Sequence, residues 1–133
     1  MPKKSKPTAG WIVSLHDEFE PEFARLPPGL QDALLAAGKA VQIAGPKAGR
    51  PHVDTLKGSK HANMKELRFE GQKGNEEWRA AFAFDPERNA VILVAGAKQG
   101  RNQKLFYEKL IKVADRRFDA HLKSITIRRR RSK

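Results

Sequence analysis

The hydrophobic positions change their period several times along the chain, and each change marks an element. The run "WIVSL" (Trp11–Leu15) is short and apolar, the form of a first strand. Asp17, Glu18, Glu20 and Glu22 follow, and acids suit the first turn of a helix. They predict a short helix around Pro21–Leu26 that stops at the Pro27-Pro28 pair. From Pro28 or Gly29 the spacing becomes helical again, and Leu30, Leu34, Leu35, Val41 and Ile43 are expected on one broad apolar face. "AGPKAGRP" breaks that helix into a loop.

The period then drops to two. In "MKELRF", Met64, Glu66 and Arg68 share one side, and Lys65, Leu67 and Phe69 the other. In "WRAAFAFD", Trp78, Ala80, Phe82 and Phe84 point one way; Arg79, Ala81, Ala83 and Asp85 point the opposite way. After the turn "DPERN", the run "AVILVAGAK" is apolar enough for a central strand. The spacing of Phe106, Leu110, Ala114, Phe118 and Leu122 predicts a closing helix. The order is strand, two helices, an antiparallel run of strands, and a helix, which is an α+β domain. With the helices on one face of the sheet, its other face is expected to stay open and to carry Arg68 and Arg79.

Charge adds a second layer. Of 27 Lys and Arg residues, three lie in the first eight positions and six in "KSITIRRRRSK" at the end, while all 15 acids lie between. Most of the net +12 therefore sits at the ends. This divides the chain into a basic flexible N-terminus (residues 1–10), one compact domain (11–122) and a basic C-terminal tail (123–133). Such ends attract polyanions without selecting among them, or simply keep a protein soluble. A chain of 133 residues is long enough for one domain with its own core. It has no cysteine, which excludes disulfides, thiol catalysis and Cys-ligated metals. No apolar run approaches the roughly 18 residues of a membrane-spanning helix. The start lacks the apolar core of a signal peptide. A cytoplasmic protein with no membrane partner is expected.

Little of the remaining chemistry converges. His16, His52, His61 and His121 form no compact pair at ligand spacing, so neither a metal nor a cofactor is expected. The serines lack a nucleophile elbow, and the glycine-lysine loops match no nucleotide-binding pattern. The basic residues are the exception. Lys47, Arg50, Lys57, Lys60, Lys65 and Arg68 face only two acids between residues 47 and 68. Lys98, Arg101, Lys104, Lys109, Lys112, Arg116 and Arg117 form a second group. Brought to one side of a sheet, Arg68, Arg79 and Lys98 would suit phosphate oxygens, although solvated surface charge accounts for them equally well.

The progression "GRPHVDTLKGSKHANMKELRF", "WRAAFAFDPERNAVILVAGAKQG" and "FYEKLIKVADRRFDAHL" resembles the RelE/ParE toxin superfamily of type II toxin–antitoxin systems, in its HigB-like, phage-related branch. The resemblance covers roughly residues 11–122. It implies a toxin that cleaves mRNA on the ribosome, acts without metal and is neutralised by a cognate antitoxin. The family's catalytic positions fall on Arg68, Arg79, Lys98 or else Arg101 and, with a short insertion, Tyr107. His61 is a candidate general acid or base in a loop where such toxins place lysine or histidine. Lys57, Lys60, Lys65, Arg101, Arg128, Arg129, Arg130 and Arg131 are the expected RNA contacts. Two alternatives share most of these signals: a ParE-like topoisomerase inhibitor that binds without cutting RNA, and a non-enzymatic RNA- or ribosome-binding protein.

Overall fold

The computed structural model describes residues 10–71, 76–98 and 102–132; the expectations for residues 1–9 and for Arg101 lie outside them. The elements run β1 (Ile12–Leu15), α1 (Glu20–Ala24), α2 (Pro28–Ala44), a 3-10 turn (Gly45–Lys47), β2 (Val53–Thr55), β3 (Met64–Glu70), β4 (Glu77–Phe84), β5 (Asn89–Ala97) and α3 (Gln103–Arg131). The five strands form one sheet in the order β1-β5-β4-β3-β2. Its pairs are antiparallel except β1 with β5, which run parallel. The α+β architecture anticipated from the pattern is therefore present.

The two faces of each strand follow the sequence alternation. Leu67, Phe69, Ala80, Phe82, Phe84, Ala90 and Ile92 pack against Leu30, Leu34, Ala37 and Val41 of α2. The opposite face carries Met64, Ala81, Ala83, Val91 and Leu93. An irregularity in the β4–β5 register near Leu93 puts both Leu93 and Val94 on that second face.

This second face is not open, contrary to the expectation. Phe106, Leu110, Ala114 and Phe118 of α3 cover it. The physical reason is the pair Ala81 and Ala83: small apolar side chains between the arginine and the turn let a helix approach closely. A helix with a full apolar stripe must also bury it against something. Phe82 and Phe118 are each almost fully buried, one on each side of the sheet, and burial of such a ring contributes about 1.5–3 kcal/mol.

Two further expectations change. Leu35 and Ile43 lie off the buried stripe of α2 and are exposed, Ile43 to 80%. Ala37 and Gly38 take their place, with Gly38 backing onto Val13. At the end of α2, Gly45 has φ of 59°, and a Cβ there would lie 2.5 Å from the Trp11 ring, so both backbone and space require glycine. Residues 123–131, expected as a separate tail, are instead the last turns of α3, and Ile125 within them is buried.

Buried polar contacts fasten α3 to the rest. Arg117 donates to Glu22 Oε1 at 3.0 Å and Oε2 at 2.6 Å, and to the Leu93 carbonyl at 2.8 Å. Asp85 accepts from the backbone N–H groups of Glu87 and Asn89, both at 2.8 Å, and from the Asn89 amide at 3.1 Å. His121 Nε2 lies 2.7 Å from its second oxygen. The Arg117 hydrogen bond holds the Glu22 carboxyl below its usual range. Burial alone would raise Asp85, but the bonds from His121, Asn89 and Glu87 outweigh it and hold it low as well.

Both carboxyls bind protons less readily folded than unfolded. Their stabilising contribution is therefore complete above the unfolded value of about 4 and is lost as pH falls through the folded values. A lower melting temperature at pH 3 than at pH 6 is expected, with a smaller drop in Asp85→Asn. Equal drops in both proteins would show that Asp85 has no part in acid sensitivity.

Candidate functional site

At one end of the sheet β3 and β5 finish, β4 begins and α3 starts. Register places Arg68 directly opposite Arg79, with Gly96 of β5 on the far side of Arg79. Like charges directly opposite each other are unfavourable unless something compensates them. Glu66, two residues before Arg68 and thus on the same face, supplies the compensation.

Arg68 Nε donates to Glu66 Oε2 at 2.9 Å, and Arg79 Nε lies 3.8 Å from Glu66 Oε1. The Tyr107 hydroxyl donates to that same Oε1 at 2.7 Å. Farther out, Glu77 Oε1 lies 3.5 Å from both Arg79 Nη2 and Lys98 Nζ. Arg68 Nη2 also reaches Asp54 at 3.3 Å. Four of the five anticipated catalytic residues, Arg68, Arg79, Lys98 and Tyr107, thus share one polar cluster.

Its burial differs from the expectation. The Arg79 side chain is only 10% exposed and that of Glu66 5%, whereas Arg68 keeps 29%. Arg79 Nη1 donates to the Trp78 carbonyl at 3.0 Å, while its buried Nε has no hydrogen-bond partner. Burial, reinforced by the bond to Glu66, raises the Tyr107 hydroxyl above the usual phenol value, so it remains a proton donor through neutral pH. The bond to Glu66 likewise raises Arg68 and fixes its charge. A cavity of about 800 Å³ opens beside the two arginines, walled by Ala33 and Ala37 of α2, His52, Glu70 and Glu77.

Two residues of this site escaped the sequence reading. Glu66 was visible as a carboxylate on the arginine face, but its role depends on Tyr107, 41 residues away. His52 is the histidine at the cavity, and nothing in its neighbours in the chain distinguished it.

His61 is elsewhere. Its Nε2 lies 2.9 Å from Asp119, its ring meets Phe118 edge-on, and Lys60 bonds the same carboxylate. Asp119 is about 18 Å along α3 from Tyr107, at roughly 1.5 Å per residue. Lys65 points to the other side of β3 and reaches Thr55 on the β2 edge. Lys57 borders a separate cleft beside Tyr107. Arg128 and Arg129 pair with Glu87 in the β4–β5 turn, at the far end of α3. Arg130 and Arg131 extend from that same last turn. Among the described residues, no helix is long and apolar enough to cross a membrane.

A five-stranded sheet between two helical layers, with cations and a tyrosine gathered on one buried carboxylate at its end, defines a small α+β domain with a polar, cation-bearing site beside a cavity. The chain belongs to the Gp49-like family of phage-derived proteins (DUF891), whose family model matches residues 21–119. It is 47% identical over 91 residues to a Mycobacterium tuberculosis protein named "Putative toxin HigB2", a match spanning 68% of this chain and 44% of that protein. It is 40% identical over 97 residues to "Putative toxin HigB3" of the same organism, spanning 71% of this chain and 81% of that one. The HigB-like resemblance read from the motifs therefore stands. No solved structure matches the chain significantly.

Proposed function

We propose that this protein is the toxin of a type II toxin–antitoxin pair and that it cleaves mRNA held on the ribosome. The observation carrying this reading is the convergence of Arg68, Arg79 and the Tyr107 hydroxyl on Glu66 at the mouth of a cavity, in a chain whose relatives are named HigB toxins.

RNA carries its own nucleophile. The 2′-hydroxyl gives up its proton to solvent as its oxygen attacks phosphorus, a 2′,3′-cyclic phosphate forms, and the bond to the 5′-oxygen breaks, that oxygen taking up a proton as it leaves. The site must neutralise charge on the five-coordinate phosphorus and protonate the leaving oxygen. Arg68 and Arg79 supply the first requirement as paired guanidinium forks, which suit phosphate oxygens. Tyr107, kept protonated by burial and by Glu66, supplies the second. Glu66 orients all three and screens the arginines from each other. Lys98, steadied by Glu77, adds a cation at the rim. The ribosome contributes by positioning the strand, so a small site suffices. The antitoxin, the ribosome and its mRNA are the partners in this reading.

Expression of this chain alone is expected to arrest growth, and co-expression of an antitoxin encoded beside it to restore growth. Toeprinting on translating ribosomes should reveal a cut in the A site. A stall without a cut would indicate binding alone, and an unaltered toeprint with arrested growth would direct attention to a topoisomerase. Normal growth despite soluble, folded protein would sink the toxin reading.

A further inference from the structure

A second concavity adjoins the site, and neither the fold nor the cluster on Glu66 accounts for it. It is a cleft of about 370 Å³ between the β2–β3 loop and the first turns of α3. Lys57 and Gly58 form one wall, Lys104 and Lys112 the other, and Ile111 and Tyr107 lie between. Glu108 is the one carboxylate lining it. Gly58, with φ of 101°, shapes the loop wall: a Cβ there would lie 3.4 Å from Ile111 Cδ1 and narrow the cleft.

The three lysines differ from the cations that are held by carboxylates, and share with other described lysines such as Lys39 and Lys109 the lack of an ion pair. Arg68, Arg79, Lys98, Arg117, Arg128 and Lys60 all sit within 4 Å of a carboxylate. Among the described residues, Lys57, Lys104 and Lys112 form no ion pair, and all are exposed. Two nearby acids are already engaged, and Glu108, on the cleft wall, lies beyond 4 Å of all three lysines, so one carboxylate offsets part of their charge. Asp115 accepts from Ser59 Oγ and the Lys60 N–H, and Asp119 holds Lys60 and His61. Positive charge in the cleft is left for a ligand.

The position of the cleft identifies that ligand. Arg68 and Arg79 line the larger cavity and reach Glu66; Tyr107 lines the cleft and reaches the same Glu66. Two concavities thus flank one polar centre. A molecule threading from one to the other must be extended and must carry negative charge on both sides of the centre, as a single RNA strand does.

We propose that the Lys57–Lys104–Lys112 cleft is a phosphate subsite for the nucleotide next to the scissile one. It holds the strand's backbone where the chain leaves Tyr107. This rests on the RNA reading above and specifies which side of the centre the strand occupies.

The test is equilibrium binding of a fluorescein-labelled 2′-O-methyl hexanucleotide, which cannot be cut, measured by anisotropy over a salt series. Each phosphate neutralised contributes about 0.7 to the slope of log affinity against log salt for a single strand. The double variant Lys104→Gln/Lys112→Gln is expected to bind more weakly and to lose about 0.7 from the slope, the share of the one phosphate held there. Both residues are exposed, so the fold should be kept, and a circular-dichroism melt checks this. Lys39→Gln/Lys47→Gln, which removes two exposed lysines from α2 and the turn after it, is expected to leave both values as in the wild type.

An unchanged slope in the first double variant, or an equal loss in both, overturns the subsite. MRNA cleavage on ribosomes, assayed on the same preparations, separates this outcome from failure of the function. A wild type that binds through these lysines yet never cuts would remove the nuclease reading and leave the subsite standing. A wild type that cuts while the oligonucleotide ignores Lys104 and Lys112 would do the reverse.

Discussion

Arg79→Ala is expected to lower ribosome-dependent mRNA cleavage by about 10²–10³-fold, the usual loss when one fixed donor to transition-state charge is removed. Arg79 is the right residue for this test because its guanidinium is already aimed. The Trp78 carbonyl, Glu77 and Glu66 hold it from three directions. A donor held in place need not reorganise when charge develops. Ribosome association should persist, since exposed cations such as Lys104, Lys112 and Arg130 are untouched.

The stability cost distinguishes two views of this residue. An arginine on an open sheet face would cost almost nothing to remove, within about 0.5 kcal/mol. The Arg79 side chain is buried, so its loss strips Glu66 of a compensating charge and should cost about 1–3 kcal/mol. Thermal unfolding, ribosome co-sedimentation and cleavage measured on one preparation, below the variant's melting range, separate the two effects. Full cleavage by folded Arg79→Ala would exclude it from the chemistry.

The largest expected effect on stability belongs to Arg117, which no functional reading requires. Its guanidinium joins α3 to Glu22 at the start of the helical layer on the other side, and to the Leu93 carbonyl in the irregular stretch of β5. Arg117→Ala removes three hydrogen bonds and leaves a buried carbonyl without its donor. A loss of about 2–4 kcal/mol is expected, a large part of the 5–15 kcal/mol that holds a typical domain together. Urea unfolding measures it. The cluster on Glu66 meets α3 at Tyr107, about 15 Å along the helix from Arg117 at roughly 1.5 Å per residue, so cleavage per folded molecule should be close to wild type. A cost below about 0.5 kcal/mol, as for ordinary surface changes, would mean the arginine is merely accommodated.

Local sequence determined most of the elements and, outside the irregular stretch of β5 at Leu93, the side of each strand on which a residue falls. Alternation has period two, so once Leu67 and Phe69 face a core, Glu66 and Arg68 must face the other way. The stripe Phe106–Leu110–Ala114–Phe118 was legible for the same reason, since i, i+4 spacing is a property of the helix itself. The motifs around Arg68 and Arg79 also carried the family. Tertiary structure decided what those faces meet. That α3 covers the arginine side, that Tyr107 meets Glu66, that His61 is claimed by Asp119, and that α3 runs through Ile125 to Arg131 all depend on contacts between residues distant in the chain. No local period encodes such contacts. They are fixed by which surfaces, once the elements exist, bury the most apolar area while leaving each buried charge with a partner.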